Sequence, residues 1–307
     1  MADGLERAHS DTRLIVSSVF YETKRAKKGF ELLDMLVEEG RERNYAKALA
    51  LLGPPRSGKT FIFENWAKLR LGVNGTSNLN PRLPYIEVDQ NSNPNKIATT
   101  SLDVLGDPDP GYGNEADKTR RVIKELERRA PLFTVFDEVH NLINSDTNRV
   151  IESAGRWVTR VLNANVSPLL IIGEPRSIRL FGKNNRQLGG RLLLCEEIEP
   201  YDWADEADRQ EFREVLHAID VGLEMAERAG FSDFDKALRI YAFCGGLVGH
   251  AANLIATALA FARMRKRPAI TLELLAESAD GQLLGEDRRA NPFRGEAPKD
   301  PRPARSE

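Results

Sequence analysis

The sequence predicts an α/β fold: a parallel, five-stranded sheet flanked by helices, followed by a small part made of helices alone. Short apolar runs of the kind buried on both faces alternate with longer stretches of helical spacing, as in Ala46–Leu52, Leu132–Phe136 and Leu169–Ile172. Beyond Pro200 the alternation stops and only helical patterns remain. Between the first strand and its helix, Gly53-Pro54-Pro55-Arg56-Ser57-Gly58-Lys59-Thr60 spells G-x-x-x-x-G-K-[ST], a phosphate-cradling loop.

In chain order, Ala26, Phe30, Leu32, Leu33, Leu36 and Val37 recur at helical spacing from about Glu22 to Glu39, and Gly40 is expected to stop that helix. Ala46–Leu52 is the first strand, and Phe61–Leu71 is the helix after the loop. Tyr85–Val88 reads as a short strand and Lys96–Leu105 as a helix. Gly106–Asn114, with two prolines and three glycines, reads as a mobile loop before the charged helix Glu115–Arg129. Leu132–Phe136 is the third strand, Val150–Leu162 an amphipathic helix, Leu169–Ile172 the fourth strand, closed by Gly173, and Arg191–Cys195 the fifth. Helices are then expected at Glu206–Ala226, Asp233–Cys244, Val248–Met264 and Leu272–Ala279, the last capped by Thr271. The expected divisions are an N-terminal extension over residues 1–21, a nucleotide-binding core over 22–200, a helical lid over 201–284 and a polar, proline-rich disordered tail over 285–307.

The composition is that of a soluble globular protein, with 41% hydrophobic and 29% charged residues in 307. There is no apolar run of membrane-spanning length and no secretory signal in Met1–Asp11, so a cytoplasmic location is expected. Cys195 and Cys244 lack C-x-x-C spacing and read as buried free thiols. With 44 basic against 46 acidic residues, any polyanion site must be a local patch.

The loop motif assigns nucleotide contacts to Gly53, Pro54, Pro55, Arg56, Ser57, Gly58, Lys59, Thr60 and Phe61. Backbone N–H groups converge on phosphate oxygens, Lys59 brings a point charge to the β/γ-phosphates, and the Thr60 hydroxyl suits Mg²⁺. The cofactors expected are ATP and Mg²⁺. Asp137-Glu138, at the end of a buried strand, reads as the second element of such a site. Asp137 would hold Mg²⁺ and Glu138 would orient and deprotonate the attacking water. The nearby His140 reads as a packed or solvated side chain.

Taken with Gly53–Thr60, Phe133–Glu138 and Leu169–Gly173, the segments Gln187–Arg191, Ile198–Trp203, Gly245–Gly249 and Ile270-Thr271 resemble those of AAA+ ATPases, and most closely the TniB/TnsC family of transposition regulators, over roughly Thr12–Gln282. The resemblance implies a slow ATPase that forms a ring or helical filament on double-stranded DNA without sequence preference. It would recruit and activate a DDE transposase, together with a TniQ-like target-selection protein, in a bacterial cytoplasm. It also implies a neighbouring subunit's arginine at each ATP, for which Arg191 matches best and Arg186 is the runner-up. The region that holds pore elements in such proteins contains two candidate DNA-binding groups. The first is Lys96 with Thr99 and Thr100. The second is Lys118-Thr119-Arg120-Arg121, whose alternative is a helix face paired with Glu115, Asp117, Glu125 and Glu127.

Two departures accompany the resemblance: Glu174 stands where a polar sensor usually ends the fourth strand, and Gly246–Gly249 lacks the lid arginine. Phe20 and Tyr21 would either cover the adenine ring or pack against the protein, and Asn291-Pro292-Phe293 is one aromatic in an otherwise polar tail. The alternative function is an initiator- or loader-type AAA+ protein, or a signalling ATPase. An initiator usually appends a DNA-reading domain, for which the residues from Asp280 onward are too few and too polar.

Overall fold

The computed structural model describes residues 11–41, 46–77, 80–143, 148–182, 185–283, 291–296 and 298. They fall into two compact units. A core unit comprises Lys24–Pro55 and Lys59–Ile198; a helical unit takes its residues from Met1–Thr23, Arg56–Gly58 and Glu199–Glu307.

Chain order begins with α1, residues 11–18 of the helical unit. The core unit then runs α2 (Lys24–Arg41), β1 (Ala48–Leu52), α3 (Lys59–Leu71), β2 (Tyr85–Glu87), α4 (Pro94–Val104), α5 (Glu115–Arg129), β3 (Thr134–Asp137), α6 (Asn148–Asn163), β4 (Leu169–Gly173), α7 (Arg186–Gly189) and β5 (Leu192–Glu197). Single 3-10 segments, absent from the sequence reading, follow β3 at Val139–Ile143 and β4 at Pro175–Phe181. All strand pairs are parallel and the order is β2-β3-β4-β1-β5. This is the five-stranded, helix-flanked sheet that the alternating pattern predicts.

Side-chain alternation along each strand divides the core between the two faces of the sheet. Ala48, Phe136, Leu169 and Ile171 join one apolar cluster with Leu102, Val122, Leu126 and Trp157 of α4, α5 and α6. Elsewhere in the unit Phe133 packs on Phe63 and Trp66 of α3. The Trp66 indole N–H donates to Asp34 (2.8 Å), tying α3 to α2.

Gly40 does not stop its helix; α2 continues to Arg41. Its lack of a side chain serves close approach instead, since a Cβ there would lie 2.8 Å from Pro168 Cγ and 3.0 Å from the Leu132 carbonyl oxygen. The loop Gly106–Asn114, expected to be mobile, is held from α5. Arg121 Nη1 donates to Asp107 (2.7 Å) and to the Asp109 carbonyl (3.0 Å), while Nη2 donates to the Tyr112 carbonyl (2.6 Å).

The helical unit consists of α1, α8 (Glu206–Gly222), α9 (Phe234–Cys244), α10 (Val248–Met264) and α11 (Leu272–Gln282), around a core that includes Val16, Phe212, Phe243, Leu259 and Leu275. Thr271 caps α11 as expected, accepting from the Leu274 N–H. The two family-like turns of this unit meet each other. The Tyr201 N–H donates to the Gly246 carbonyl (3.1 Å), and a Cβ on Gly246, whose φ is +79°, would sit 2.1 Å from the Tyr201 carbonyl oxygen. Only glycine fits there. Tyr21 donates to Glu214 (2.8 Å) and Arg13 Nη2 to Asn253 (2.7 Å), so residues 11–23 are integral to this unit rather than a separate extension.

The tail expectation changes for residues 291–296. Phe293 is buried in the core of the helical unit against Phe243, and Arg239 donates to the carbonyls of Pro292 (2.7 Å) and Gly295 (3.2 Å). A lone aromatic becomes an anchor where a helix leaves an apolar hole and a buried arginine beside it. Residues 1–10 of the expected extension, and residues 285–290, 297 and 299–307 of the expected tail, lie outside the described residues. Among the described residues no single helix is long and apolar enough to cross a membrane. Cys244 is buried as expected, but Cys195 is exposed on β5, which among the described residues is an edge strand paired with β1.

Candidate active site

Strand order brings the motif residues of the core unit together. With β4 between β3 and β1, the carboxyl ends of these three strands lie side by side, where ligands bind open parallel sheets. The Gly53 N–H donates to the Gly173 carbonyl (3.1 Å), which continues the β1–β4 ladder into the loop. Gly58 has φ +96°, a conformation that L-residues rarely adopt, and the first turn of α3 follows at Lys59 with its free N–H groups and positive dipole end.

Lys59 is 7% exposed, and its Nζ donates to the carbonyls of Gly53 and Pro54, both at 2.8 Å. Burial pushes its pKa down, and the nearby Glu138, Asp137 and Glu174 carboxylates oppose that shift. Thr60 Oγ1 donates to Asp137 Oδ2 (2.7 Å). Tyr85, on β2, donates to the same oxygen (2.8 Å), and the Glu138 N–H donates to Oδ1 (2.7 Å). The Asp137 carboxylate is therefore held at three points. A hydroxyl and a carboxylate in contact are the hard oxygen donors that suit Mg²⁺, so Thr60 and Asp137 fit the metal expected from the motif. Burial and the Asp137 charge push the Tyr85 phenol far up, which keeps it a hydrogen-bond donor.

Glu138 leaves the sheet with φ +56°, a left-handed conformation that is uncommon outside glycine and asparagine. Burial raises the pKa of its carboxyl, Asp137 adds to the shift, and Lys59 opposes it. A base that takes a proton from water is served by such a shift. Its side chain lies beside His140: Nε2 of that ring is 3.3 Å from Glu138 Oε2 and 3.2 Å from Glu174 Oε1. Glu174, the unusual residue after β4, also pairs with Arg176 Nε (2.9 Å). Tyr85 and His140 are the parts of this site that motif reading passed over. Nothing in the sequence marked Tyr85, while His140 was marked only by its closeness to Glu138.

Arg191 precedes the fifth strand, as expected of a neighbour-directed finger, but its side chain is turned into the protein. It stands at the amino end of β5, where Ala48 pairs with Leu192. Its side chain is 8% exposed, and Nη1 donates to the carbonyls of Ala46 (3.1 Å) and Leu162 (3.3 Å) and to Asn165 Oδ1 (2.9 Å). It is a strut joining the start of β5 to the lead-in of β1 and to the end of α6 and the turn after it. Arg186, the runner-up, is exposed at the start of α7.

The two DNA-binding groups are not separate. Lys118 is 5% exposed and donates from Nζ to Thr99 Oγ1 (3.0 Å), linking α5 to α4. Thr119 is 1% exposed, donates to the Glu115 carbonyl (2.7 Å) and accepts from the Trp157 indole (3.1 Å). Arg121 is committed to the 107–112 loop as described above. Lys118, Thr119 and Arg121 are therefore structural groups turned inward, and the expectation that they meet DNA is corrected. Arg120 remains exposed beside Asp117. Lys96 is exposed near Asp89 (3.4 Å), and Thr99 and Thr100 are partly exposed, their hydroxyls donating to the carbonyls of Asn95 and Lys96.

Sheet order, phosphate loop and acidic pair together define an AAA+ ATPase fold. Solved structures of similar fold include the Cdc6 protein of Pyrobaculum aerophilum, at TM-score 0.61 and 18% identity over 90% of this chain and 73% of that one. The Aeropyrum pernix ORC1 protein in complex with DNA gives 0.60 and 19%, over 88% and 69%. The Drosophila ORC bound to DNA gives 0.56 and 14%, over 92% and 68%. Among curated proteins none matches by sequence. The family model described as "Bacterial TniB protein" matches residues 12–201, more than half of the chain, and the protein belongs to that family.

Proposed function

We propose that this protein is an ATP-dependent regulator of transposition that assembles on duplex DNA, recruits and activates a transposase there, and uses slow ATP hydrolysis to end that state. The observation that carries the reading is the meeting of Lys59, Thr60, Asp137 and Glu138 at the ends of β1 and β3, in a TniB-family chain. The amides of Gly53–Phe61 bind the phosphates, and Lys59 exchanges its two carbonyl partners for phosphate oxygens. Thr60 and Asp137 hold Mg²⁺, which when bound neutralises developing phosphate charge. Glu138 accepts the proton of the attacking water.

With Arg191 locked in the core, Arg186 is the arginine offered to a neighbour's ATP. Lys96, with Thr99 and Thr100, provides a phosphate-binding group that repeats along DNA in a ring or filament. A DDE transposase and a TniQ-like protein are the partners that the family membership favours. Slow turnover follows from the missing lid cation.

The test is ATP turnover by the whole chain, and duplex binding with ATP and with a non-hydrolysable ATP analogue, imaged by negative stain. Filaments or rings that require ATP, lost in Lys96→Glu and long-lived in Glu138→Gln, are the expected result. ATP hydrolysis without nucleotide-dependent DNA binding at moderate salt would overturn the transposition reading in favour of a signalling ATPase.

A further inference from the structure

His140 faces more carboxylate than it can serve. Its Nε2 lies between Glu138 Oε2 (3.3 Å) and Glu174 Oε1 (3.2 Å), while its Nδ1 is buried with no hydrogen-bond partner among the described residues. An imidazolium would bury a second N–H, on Nδ1, with nothing to accept it. The neutral ring leaves only a bare lone pair there, which costs less. The ring therefore carries its single hydrogen on Nε2, and that N–H can be well aligned to one carboxylate at a time.

The two acceptors differ in freedom. Glu174 is anchored through its other oxygen to Arg176 (2.9 Å), whereas the Glu138 side chain is 43% exposed and, among the described residues, has no hydrogen-bond or ion-pair partner besides His140. Glu138 also stands on a left-handed backbone, φ +56°, that aims its side chain away from the direction β3 would give. We propose that His140 is a two-position latch for Glu138. With its N–H turned to Glu138 it parks the carboxylate beside β4; with its N–H turned to Glu174 it releases that carboxylate to take a proton from water. Glu174 thus acts as the counter-acceptor that lets the latch open, which gives an acidic residue at the sensor position a use. His140 and Glu174 are positioning residues in this scheme.

The inference rests on the ATPase reading above, and one experiment separates the two. Turnover number, KM for ATP, nucleotide affinity and melting temperature are measured for the full chain, Glu174→Gln, His140→Ala, His140→Gln and the two double variants. Glutamine at position 174 is a neutral, weaker acceptor, so the latch stays on Glu138. The turnover number falls about tenfold, while KM and nucleotide affinity change less than twofold. In the His140→Ala background the same change at position 174 alters turnover less than twofold. In the His140→Gln background, where the side-chain amide supplies an N–H at similar reach, the loss returns.

An equal loss from Glu174→Gln with and without His140, or no loss with His140 present, overturns the latch. His140→Leu replaces His140→Ala if the smaller side chain unfolds the site. Failure of the unaltered chain to bind or hydrolyse ATP overturns the ATPase reading and the latch with it.

Discussion

Replacing Arg191 by Ala should destabilise the core unit and leave the chemistry of each folded molecule unchanged. The guanidinium is buried and reaches three acceptors, at Ala46, Leu162 and Asn165. Hydrogen bonds from charged groups contribute about 1.5–3 kcal/mol each. Two of these acceptors keep another donor, because the Ala46 N–H donates to Asn165 Oδ1 (3.1 Å) and the Asn165 N–H to the Leu162 carbonyl (3.1 Å). The Ala46 carbonyl has most to lose, and removing the buried charge returns part of its desolvation cost. The net loss should be about 2–3 kcal/mol, which lowers the melting temperature of a unit of this size by about 4–12 °C. Trp66 and Trp157 lie in the core unit and report its unfolding, while Trp203 reports the helical unit. ATP turnover is compared well below both melting temperatures. Unchanged melting with a tenfold fall in turnover, restored by mixing in Glu138→Gln subunits that keep Arg191, would show that Arg191 is a finger after all.

Phe293→Ala should destabilise the helical unit by about 3 kcal/mol, read from Trp203 fluorescence in urea, because it empties a buried aromatic site against Phe243. Arg121→Ala removes three bonds to the 107–112 loop and should speed amide exchange there more than tenfold while exchange in β1 and β4 is unaltered. Burial holds the His140 pKa below its ordinary 6.5, so the folded chain binds fewer protons there than the unfolded chain. Stability is then lost as pH falls below about 6.5, and the loss saturates below the folded pKa. His140→Gln should show a shallower acid slope in urea titrations at pH 5–7, and an identical slope would count against a buried neutral ring.

The parts of the site that a local rule controls were legible in the sequence. Gly53–Thr60 carries its own turn chemistry, and Asp137-Glu138 follows an apolar block that must be a buried strand. Strand order brings these together, and no local rule in the sequence gives it. Direction was harder to read. Arg191 precedes β5 as a neighbour-directed finger would, but its side chain turns inward to acceptors at Ala46, Leu162 and Asn165 that are distant in sequence. Lys118 and Thr119 sit in a charged helix whose sequence hides which side is buried; the Trp157 indole decides it by claiming the Thr119 hydroxyl. His140 needed the β3–β4 neighbourhood before its two carboxylates came into view.

The helical unit is assembled from both sides of the core unit in the chain, with Val16 before it and Phe293 after it in one apolar cluster. During synthesis the nucleotide-binding sheet can close once β5 has emerged, at Glu197. Helix α1, made before any of it, must wait for partners nearly two hundred residues further on, and the last of them is Phe293. A chain interrupted between these points would hold a closed sheet and an α1 still without its partners. That order of manufacture withholds the complete helical unit until translation has passed residue 293.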